Sequence, residues 1–163
     1  MGVFQISPFD KGGMLYRPTK ELATTVGHET TPMTFAALYG WKKIGFHTTS
    51  VGIARPTDLE EIMDAARLFS SDEGETMLES VEGRLRSKRE EALGKEWIEK
   101  GLLNIPSCYN ESTQGMGIGQ ILWCHDLITT FGMYEFARAR YSNMKSFVKW
   151  DDKKTFEENA KNM

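Results

Sequence analysis

Residues 6–18, ISPFDKGGMLYRP, decide how this sequence begins to fold. The residues leading into them, 2–6, form a short apolar stretch that is typical of a β-strand. Ser7 and Pro8 end that strand, because proline has a fixed φ and no N–H to donate to a neighbouring strand. A loop rich in glycine, lysine and threonine is expected next.

The following segment predicts a helix and then a second strand. Thr31 and Pro32 are typical of a helix start, since the hydroxyl can cap the helix and proline fits its first position. Residues 46–51, FHTTSV, are β-branched and aromatic, which favours a strand that ends at Gly52.

Residues 55–69, RPTDLEEIMDAARLF, have the pattern of a further helix. Thr57 and Glu60 predict a capping box at its start. Its apolar residues recur at helical spacing, and they are Leu59, Ile62, Met63, Ala66 and Phe69. Residues 3–69 therefore alternate strand, helix, strand, helix, and this order predicts right-handed βαβ units with a parallel sheet.

From Ser70 onward the pattern is helical only. One face of the first of these helices carries apolar residues, namely Met77, Leu78, Val81 and Leu85. Residues 84–100 mix opposite charges three and four apart, which indicates a solvated helix surface. A loop over 104–119 and a helical pair over about 118–145 follow. The predicted division is a strand-helix part, residues 1–69, and a helical extension, residues 70–163.

Composition limits the class of protein. With 163 residues, 40% of them hydrophobic, the chain is long enough to bury a substantial core. Its net charge of -3, with both signs mixed, favours no nucleic-acid partner. No apolar run approaches the roughly 18 residues of a transmembrane helix, and no signal peptide is recognisable. A soluble protein of a reducing compartment is expected, because two cysteines form no disulfide framework; which compartment stays open.

Parallel sheets place their binding sites in the loops after the strands. Two such loops are predicted here, Ser7–Gly13 and Gly52–Asp58. Both can present backbone N–H groups, and the second leads into a helix N-terminus, whose dipole favours a phosphate. Arg55 adds a cation with a fork geometry suited to phosphate oxygens. A phosphate-bearing ligand is one reading of this pattern, and ordinary turn chemistry is the other.

The sequence resembles the aldo-keto reductase family over nearly its whole length. Residues 2–13, 31–41 and 47–61 are similar, in order and spacing, to the last two strand-helix units of the family's barrel. Residues 101–141 resemble the helical extension of the branch that carries a C-terminal iron–sulfur module. The resemblance implies an α/β fold: the C-terminal part of a (β/α)8 TIM barrel, its last two strand-helix units, followed by an all-helical extension.

The resemblance also implies a cofactor site. Family members bind NADPH across the strand ends and reduce carbonyls by hydride transfer. The implied cofactor-binding residues are Ser7, Pro8, Phe9, Gly52, Ile53, Arg55 and Glu61. Among them, Ser7 matches the serine that holds the pyrophosphate, the segment from Gly52 to Arg55 matches the 2′-phosphate loop, and Glu61 matches the glutamate that contacts adenine.

Several positions depart from the family pattern. Asp58 stands where many NADPH-using members have arginine or glutamine, and Ile62 replaces an asparagine. Both changes weaken the expected NADPH site, since a carboxylate near a bound phosphate is repulsive. An iron–sulfur cluster needs four thiolates, and only Cys108 and Cys124 are present, so no cluster is expected. No other metal site is expected either: Cys124 is interpreted as a core cysteine and His125 as an ordinary histidine.

The family's catalytic tyrosine, lysine, aspartate and histidine precede these strands, so no catalytic residue is expected in this chain. Two hypotheses follow. The chain is the C-terminal, cofactor-binding portion of an NAD(P)H-dependent, aldo-keto reductase-like oxidoreductase, or it is a non-catalytic accessory subunit derived from one. In either case, other protein chains or an N-terminal segment would cover the open barrel, because two strands alone expose an apolar face and unpaired edges.

Overall fold

The computed structural model describes residues 2–9, 14–100 and 117–144. These residues are mostly helical, with two short strands. In chain order the elements are β1 (Phe4–Ile6), α1 (Lys20–Val26), α2 (Pro32–Tyr39), a π-helical turn (Gly40–Ile44), β2 (Thr48–Ser50), α3 (Thr57–Phe69), α4 (Asp72–Leu93), α5 (Lys95–Lys100), α6 (Ile118–Phe131) and α7 (Tyr134–Met144).

The chain forms two compact units, Met1–Lys88 and Arg89–Met163. The boundary falls inside α4. The predicted division at residues 69 and 70 stays a prediction. Within the described ranges, no helix combines the length and the apolarity needed to cross a membrane.

In the first unit, β1 and β2 pair in parallel, with Phe4 opposite Thr48 and Ile6 opposite Ser50. The parallel pairing agrees with the alternation of strands and helices in the sequence. His47 fixes the start of the pair, because its Nδ1 accepts from the Val3 N–H at 3.0 Å and its own N–H donates to the Val3 carbonyl at 3.0 Å.

The two faces of this sheet have an unusual polarity. Gln5 and Thr49 are half-buried, and the Thr49 hydroxyl lies 3.2 Å from Gln5 Oε1. Trp41 Nε1 donates to that hydroxyl at 2.9 Å. On the other face, Phe4 and Ile6 are 55% and 70% exposed. Strand β1 thus directs the polar Gln5 inward and the apolar Phe4 and Ile6 outward, where they lie beside the exposed Thr48 and Ser50 of β2.

The π-helical turn at the end of α2 positions Trp41. It closes with the Phe46 N–H donating to the Gly40 carbonyl at 3.0 Å. Gly45 follows at φ 81, a left-handed conformation that favours glycine. The wider turn directs the Trp41 indole toward β2.

The helices supply the core of this unit. Thr31 caps α2 as predicted, with its hydroxyl accepting from the Thr34 N–H at 3.1 Å and Pro32 beginning the helix. The largest buried apolar side chains of the unit are Phe9, Leu22, Val26, Met33, Leu38, Met77, Leu78 and Val81. Helix α2 packs on both α1 and α3.

Helices α3 and α4 meet at a tight corner. The Ser71 hydroxyl donates to the Leu68 carbonyl at 3.0 Å and accepts from the Gly74 N–H at 3.1 Å. Gly74 is buried there, and a Cβ at this position would lie 2.9 Å from the Leu68 carbonyl carbon and closer still to its oxygen. Only a residue without a side chain fits this corner.

Helix α6 and its neighbours make a separate core in the second unit. Asp126 is buried, and its carboxylate accepts from Trp97 Nε1 at 2.8 Å and from Arg89 at 3.3 Å. The predicted helical pair is confirmed as α6 and α7, which join at Gly132 with φ 63. Cys124 is buried, as interpreted from the sequence, and burial raises the pKa of its thiol. Cys108 lies outside the described residues.

The predicted fold class, the C-terminal part of a (β/α)8 TIM barrel followed by an all-helical extension, is wrong. Each described strand has only three residues, against about five or six in a typical sheet. Residues 20–26 form helix α1 instead of the expected loop, and the second strand is shorter than the predicted 46–51. Because these strands bury little apolar area, helix packing supplies most of the core.

The start of α3 also differs from expectation. Thr57 is the first helical residue instead of the cap, and the preceding Pro56 makes no side-chain cap hydrogen bond. The predicted capping box of Thr57 and Glu60 is therefore wrong. On this helix, Leu59 and Met63 are about half exposed.

Candidate functional site

Parallel pairing brings the two predicted ligand loops to one edge of the sheet. Since Ile6 lies opposite Ser50, the residues that follow each strand leave at the same edge. Ser7, Pro8 and Phe9 follow β1, and the segment beginning at Val51 follows β2. The structure thus brings together the strand ends that the sequence singled out.

Ser7 has a left-handed backbone conformation, with φ 50. Such a conformation costs an L-residue roughly 1–2 kcal/mol, and backbone outliers of this kind cluster at functional sites. Ser7 and Pro8 are half-buried, whereas Phe9 is 1% exposed and belongs to the core. Phe9 therefore anchors the loop, and Ser7 is the residue of the three best placed to meet a ligand.

Replacing Ser7 by glycine is expected to stabilise the protein by about 1 kcal/mol relative to replacing it by alanine. The reason is that glycine adopts a positive φ without strain, whereas alanine keeps the strain, and both variants lose the hydroxyl alike. Urea unfolding of the two variants measures the difference. Equal stabilities would show that φ at Ser7 stores no strain.

The loop after β2 is open. Gly52 is exposed, and a Cβ added there would meet nothing within 4 Å. Ile53 is 58% exposed. Neither residue is held by the core, so both can approach a ligand that lies across the strand ends.

Arg55 is held by two carboxylates in what we name the Arg55 clamp, made of Arg55, Asp58 and Glu61. Arg55 Nε donates to Asp58 Oδ1 at 2.7 Å, and its NH2 group lies 2.7 Å from the same oxygen and 3.0 Å from Glu61 Oε1. The Thr31 hydroxyl donates to Glu61 Oε2 at 2.6 Å. The clamp therefore connects the β2 loop to α3 and to the cap of α2.

Asp58 organises the backbone of the same loop. Its Oδ2 accepts from the N–H groups of Ala54 and Arg55 at 2.8 and 2.9 Å. Burial of Asp58 opposes its ionisation, but these N–H groups and the Arg55 guanidinium outweigh that effect and hold the pKa of the carboxyl below its usual range. Asp58 is thus a buried anion that fixes the shape of the loop.

The sequence reading misjudged Asp58 and missed Thr31 as a partner of Glu61. Asp58 was interpreted as a charge near a ligand phosphate, but the structure buries it under Arg55. The signal was present in the sequence, because an arginine three residues before an aspartate at a helix start favours this pairing. The contact between Thr31 and Glu61 spans 30 residues, and no local pattern indicates it.

The part of the chain that the structure describes contains no group of three or more His, Cys, Asp and Glu side chains arranged to hold a metal ion. What the strand-end edge offers is the Ser7 hydroxyl and the Arg55 clamp, since the N–H groups of Ala54 and Arg55 are bound by Asp58. These groups can hold a polar ligand in place. Among the described residues of the two loops, the Arg55 clamp supplies the charged side chains.

Comparison with known proteins gives no relative for the chain: no family model, no curated protein and no solved structure matches it.

Proposed function

We propose that this chain is the C-terminal, cofactor-binding portion of an NAD(P)H-dependent oxidoreductase of the aldo-keto reductase type, without the catalytic half. The motif resemblance of residues 2–13 and 47–61 supports the proposal. One structural observation carries it: the in-register parallel pairing of Ile6 with Ser50 directs both motif loops to a single edge.

In this proposal the chain binds and orients the dinucleotide, which supplies the hydride when it is bound. Ser7, at the end of β1, would hold the pyrophosphate with its hydroxyl, and the exposed backbone of Gly52 and Ile53 would lie along the adenosine side. Pro8 and Phe9 hold the loop in shape, with Phe9 fixed in the core. Proton donation to a carbonyl requires an acid within hydrogen-bond reach, and that group would come from outside this chain.

The described residues fit some parts of the cofactor better than others. The open loop after β2 and the Ser7 hydroxyl suit a dinucleotide backbone. Arg55 and Glu61 are bound to each other at 3.0 Å, so neither is free in the way that the family pattern implies for the 2′-phosphate and the adenine. The residues present therefore fit a nicotinamide dinucleotide better than its 2′-phosphorylated form.

Binding of nicotinamide dinucleotides to the purified full chain tests the proposal. We expect NADH, NADPH or both to bind saturably in equilibrium dialysis, and we expect Gly52→Val to weaken binding about tenfold or more by occupying the strand-end edge. The fold should tolerate this change, since an added Cβ at Gly52 meets nothing within 4 Å.

Gly2→Val is the matched control. Gly2 also has open space around an added Cβ, but it lies before β1, at the opposite end of the strand from Ser7. We expect this variant to bind as the parent does. Absence of binding of both nucleotides to the folded chain would contradict the proposed function.

A second candidate, a non-catalytic accessory subunit of a larger assembly, is favoured by the two exposed apolar side chains of β1. Phe4 and Ile6 are more than half exposed, while the polar Gln5 and Thr49 point inward. A face of this kind is usually covered by protein, and the partners would be other protein chains or a preceding segment. This candidate predicts that the chain binds neither nucleotide, so the same titration separates the two functions.

A further inference from the structure

The outward side of α3 carries a row of apolar side chains that the fold leaves open to solvent. It consists of Leu59, Met63 and Ala66, of which Leu59 and Met63 are 50% and 48% exposed. Because they are spaced four and then three residues apart, they align along one side of the helix, as the contact positions of a coiled coil do. We name these three residues the α3 seam.

The helix that presents this seam is held from its other side. Asp58 and Ala65 are buried, and α3 packs on α2. The Phe69 ring also meets the Trp41 ring edge-on, with the two centroids 6.3 Å apart. The fold therefore fixes α3 in advance, and a partner that docks on the seam has little ordering of the helix to offset.

Charged side chains border the α3 seam along one flank. Glu60 and Arg67 are both exposed, and they stand seven residues apart, which is about two helical turns, so they lie on the same flank. Arg67 contacts Asp64 of its own helix, whereas Glu60 has no ionic partner among the residues that the structure describes. The flank thus presents a negative charge and, two turns later, a positive one.

This arrangement is complementary to itself when a second copy of α3 runs antiparallel. In a two-fold pair, residue i of one subunit contacts residue j of the other, and j contacts i. Pairing about the middle of the helix places Glu60 opposite Arg67 of the partner subunit, and it does so twice. The same register sets Met63 against the small Ala66 of the partner subunit, so that large and small side chains interdigitate.

Other occupants match the surface less well. In a parallel pair, Glu60 and Arg67 would face the opposite flank of the partner helix, and that flank carries the apolar Ile62 and Phe69. A surface of anionic lipids is disfavoured as well, because α3 has four acidic residues and one basic residue. The combination of seam and charges therefore favours a second copy of this chain.

We propose that the chain self-associates through the α3 seam into a two-fold dimer with antiparallel α3 helices. One helix of 13 residues offers less contact than the roughly 800 Å² per partner of a standard interface. We therefore expect a reversible dimer with a dissociation constant on the order of 10 μM.

Sedimentation velocity of the full chain, from about 2 to about 200 μM, tests the proposal. We expect the parent to pass from monomer to dimer over this range. Met63→Lys should weaken association about tenfold or more, because it places a charge in the seam. The matched control is Ile44→Lys: Ile44 is also about half exposed, but it lies in the π-helical turn, so this variant should associate as the parent does.

Reversal of the flank charges tests the orientation of the pair. Glu60→Arg alone, or Arg67→Glu alone, sets like charges opposite each other at both symmetry-related contacts and should weaken association about tenfold. The double variant restores opposite charges and should recover the dissociation constant of the parent. Circular dichroism of every variant establishes that the fold is intact.

Three results would overturn the proposal. A parent chain that is still monomeric at about 200 μM would leave the seam to a different protein. Association that Met63→Lys does not change would assign the contact to another surface, such as the exposed Phe4 and Ile6 of β1. A double charge variant that associates as weakly as the single variants would exclude the antiparallel register.

Discussion

Replacing Asp58 by alanine is expected to lower the free energy of unfolding by about 3 kcal/mol. The carboxylate is fully buried and accepts from the N–H groups of Ala54 and Arg55 as well as from the Arg55 guanidinium. Alanine leaves a small cavity and removes the group that holds the β2 loop. Urea unfolding at about pH 7, where an aspartate with its pKa near or below 3.9 is ionised, measures the loss.

The effect of Asp58→Ala should depend on pH in a definite direction. The pKa of Asp58 is lowered in the folded protein, so its stabilisation is present above about pH 3.9, the unfolded value, and is lost as pH falls through the folded pKa. The stability difference between parent and variant should therefore shrink in strong acid. Asp64→Ala, which removes an exposed carboxylate, should cost less than about 0.5 kcal/mol at neutral pH. This account would be contradicted if Asp58→Ala lowered the free energy of unfolding no more than Asp64→Ala does.

Gly74→Ala is expected to destabilise the protein by about 3 kcal/mol, although alanine is the better helix former. The added Cβ would lie 2.9 Å from the Leu68 carbonyl carbon, inside a corner made of backbone. Because backbone cannot rotate away as a side chain can, α3 and α4 would have to separate. The change in free energy of unfolding, read from urea denaturation, gives the magnitude.

Gly83 provides the matched comparison in the same helix. It is exposed, and an added Cβ meets nothing within 4 Å. Gly83→Ala should therefore stabilise the protein by about 0.5–1 kcal/mol, since it removes the backbone entropy of glycine from a helix interior. If Gly74→Ala and Gly83→Ala changed the free energy of unfolding in the same direction, the corner between α3 and α4 would not be tight.

Local chemistry in the sequence was sufficient to predict some elements. Thr31 and Pro32 predicted the start of α2 because capping and proline geometry act within one turn. The face of α4 was predicted in the same way, and Met77, Leu78 and Val81 are buried. Helix α1 was missed because its threonines have low helix propensity, and the cap supplied by Thr19 was overlooked.

The lengths of the strands and the burial of α3 were not predictable from periodicity. A pattern shows which residues can share a face, but it does not show what packs against them. In α3 the described buried residues are Asp58 and Ala65, while Leu59 and Met63 remain about half exposed. Tertiary contacts decided this outcome, chiefly the packing of α3 on α2.

For the candidate site, the sequence located the two loops, and the structure added their chemistry. Parallel pairing follows from the order of elements, so the meeting of Ser7 and Gly52 at one edge was predictable. The positive φ of Ser7 was not indicated by any local pattern. The contact of Thr31 with Glu61 was not predictable either, because it joins residues 30 positions apart in the chain.

The π-helical turn after α2 limits how the connection to β2 can vary in length. Its hydrogen bonds enclose one residue more than those of an α-helix. Deleting one residue between Gly40 and Ile44 would restore the tighter spacing and rotate later side chains by about 100° around the axis. The indole of Trp41 would then lose its alignment with the Thr49 hydroxyl. Natural variants of this chain should therefore accept substitutions in the turn more readily than a single-residue deletion.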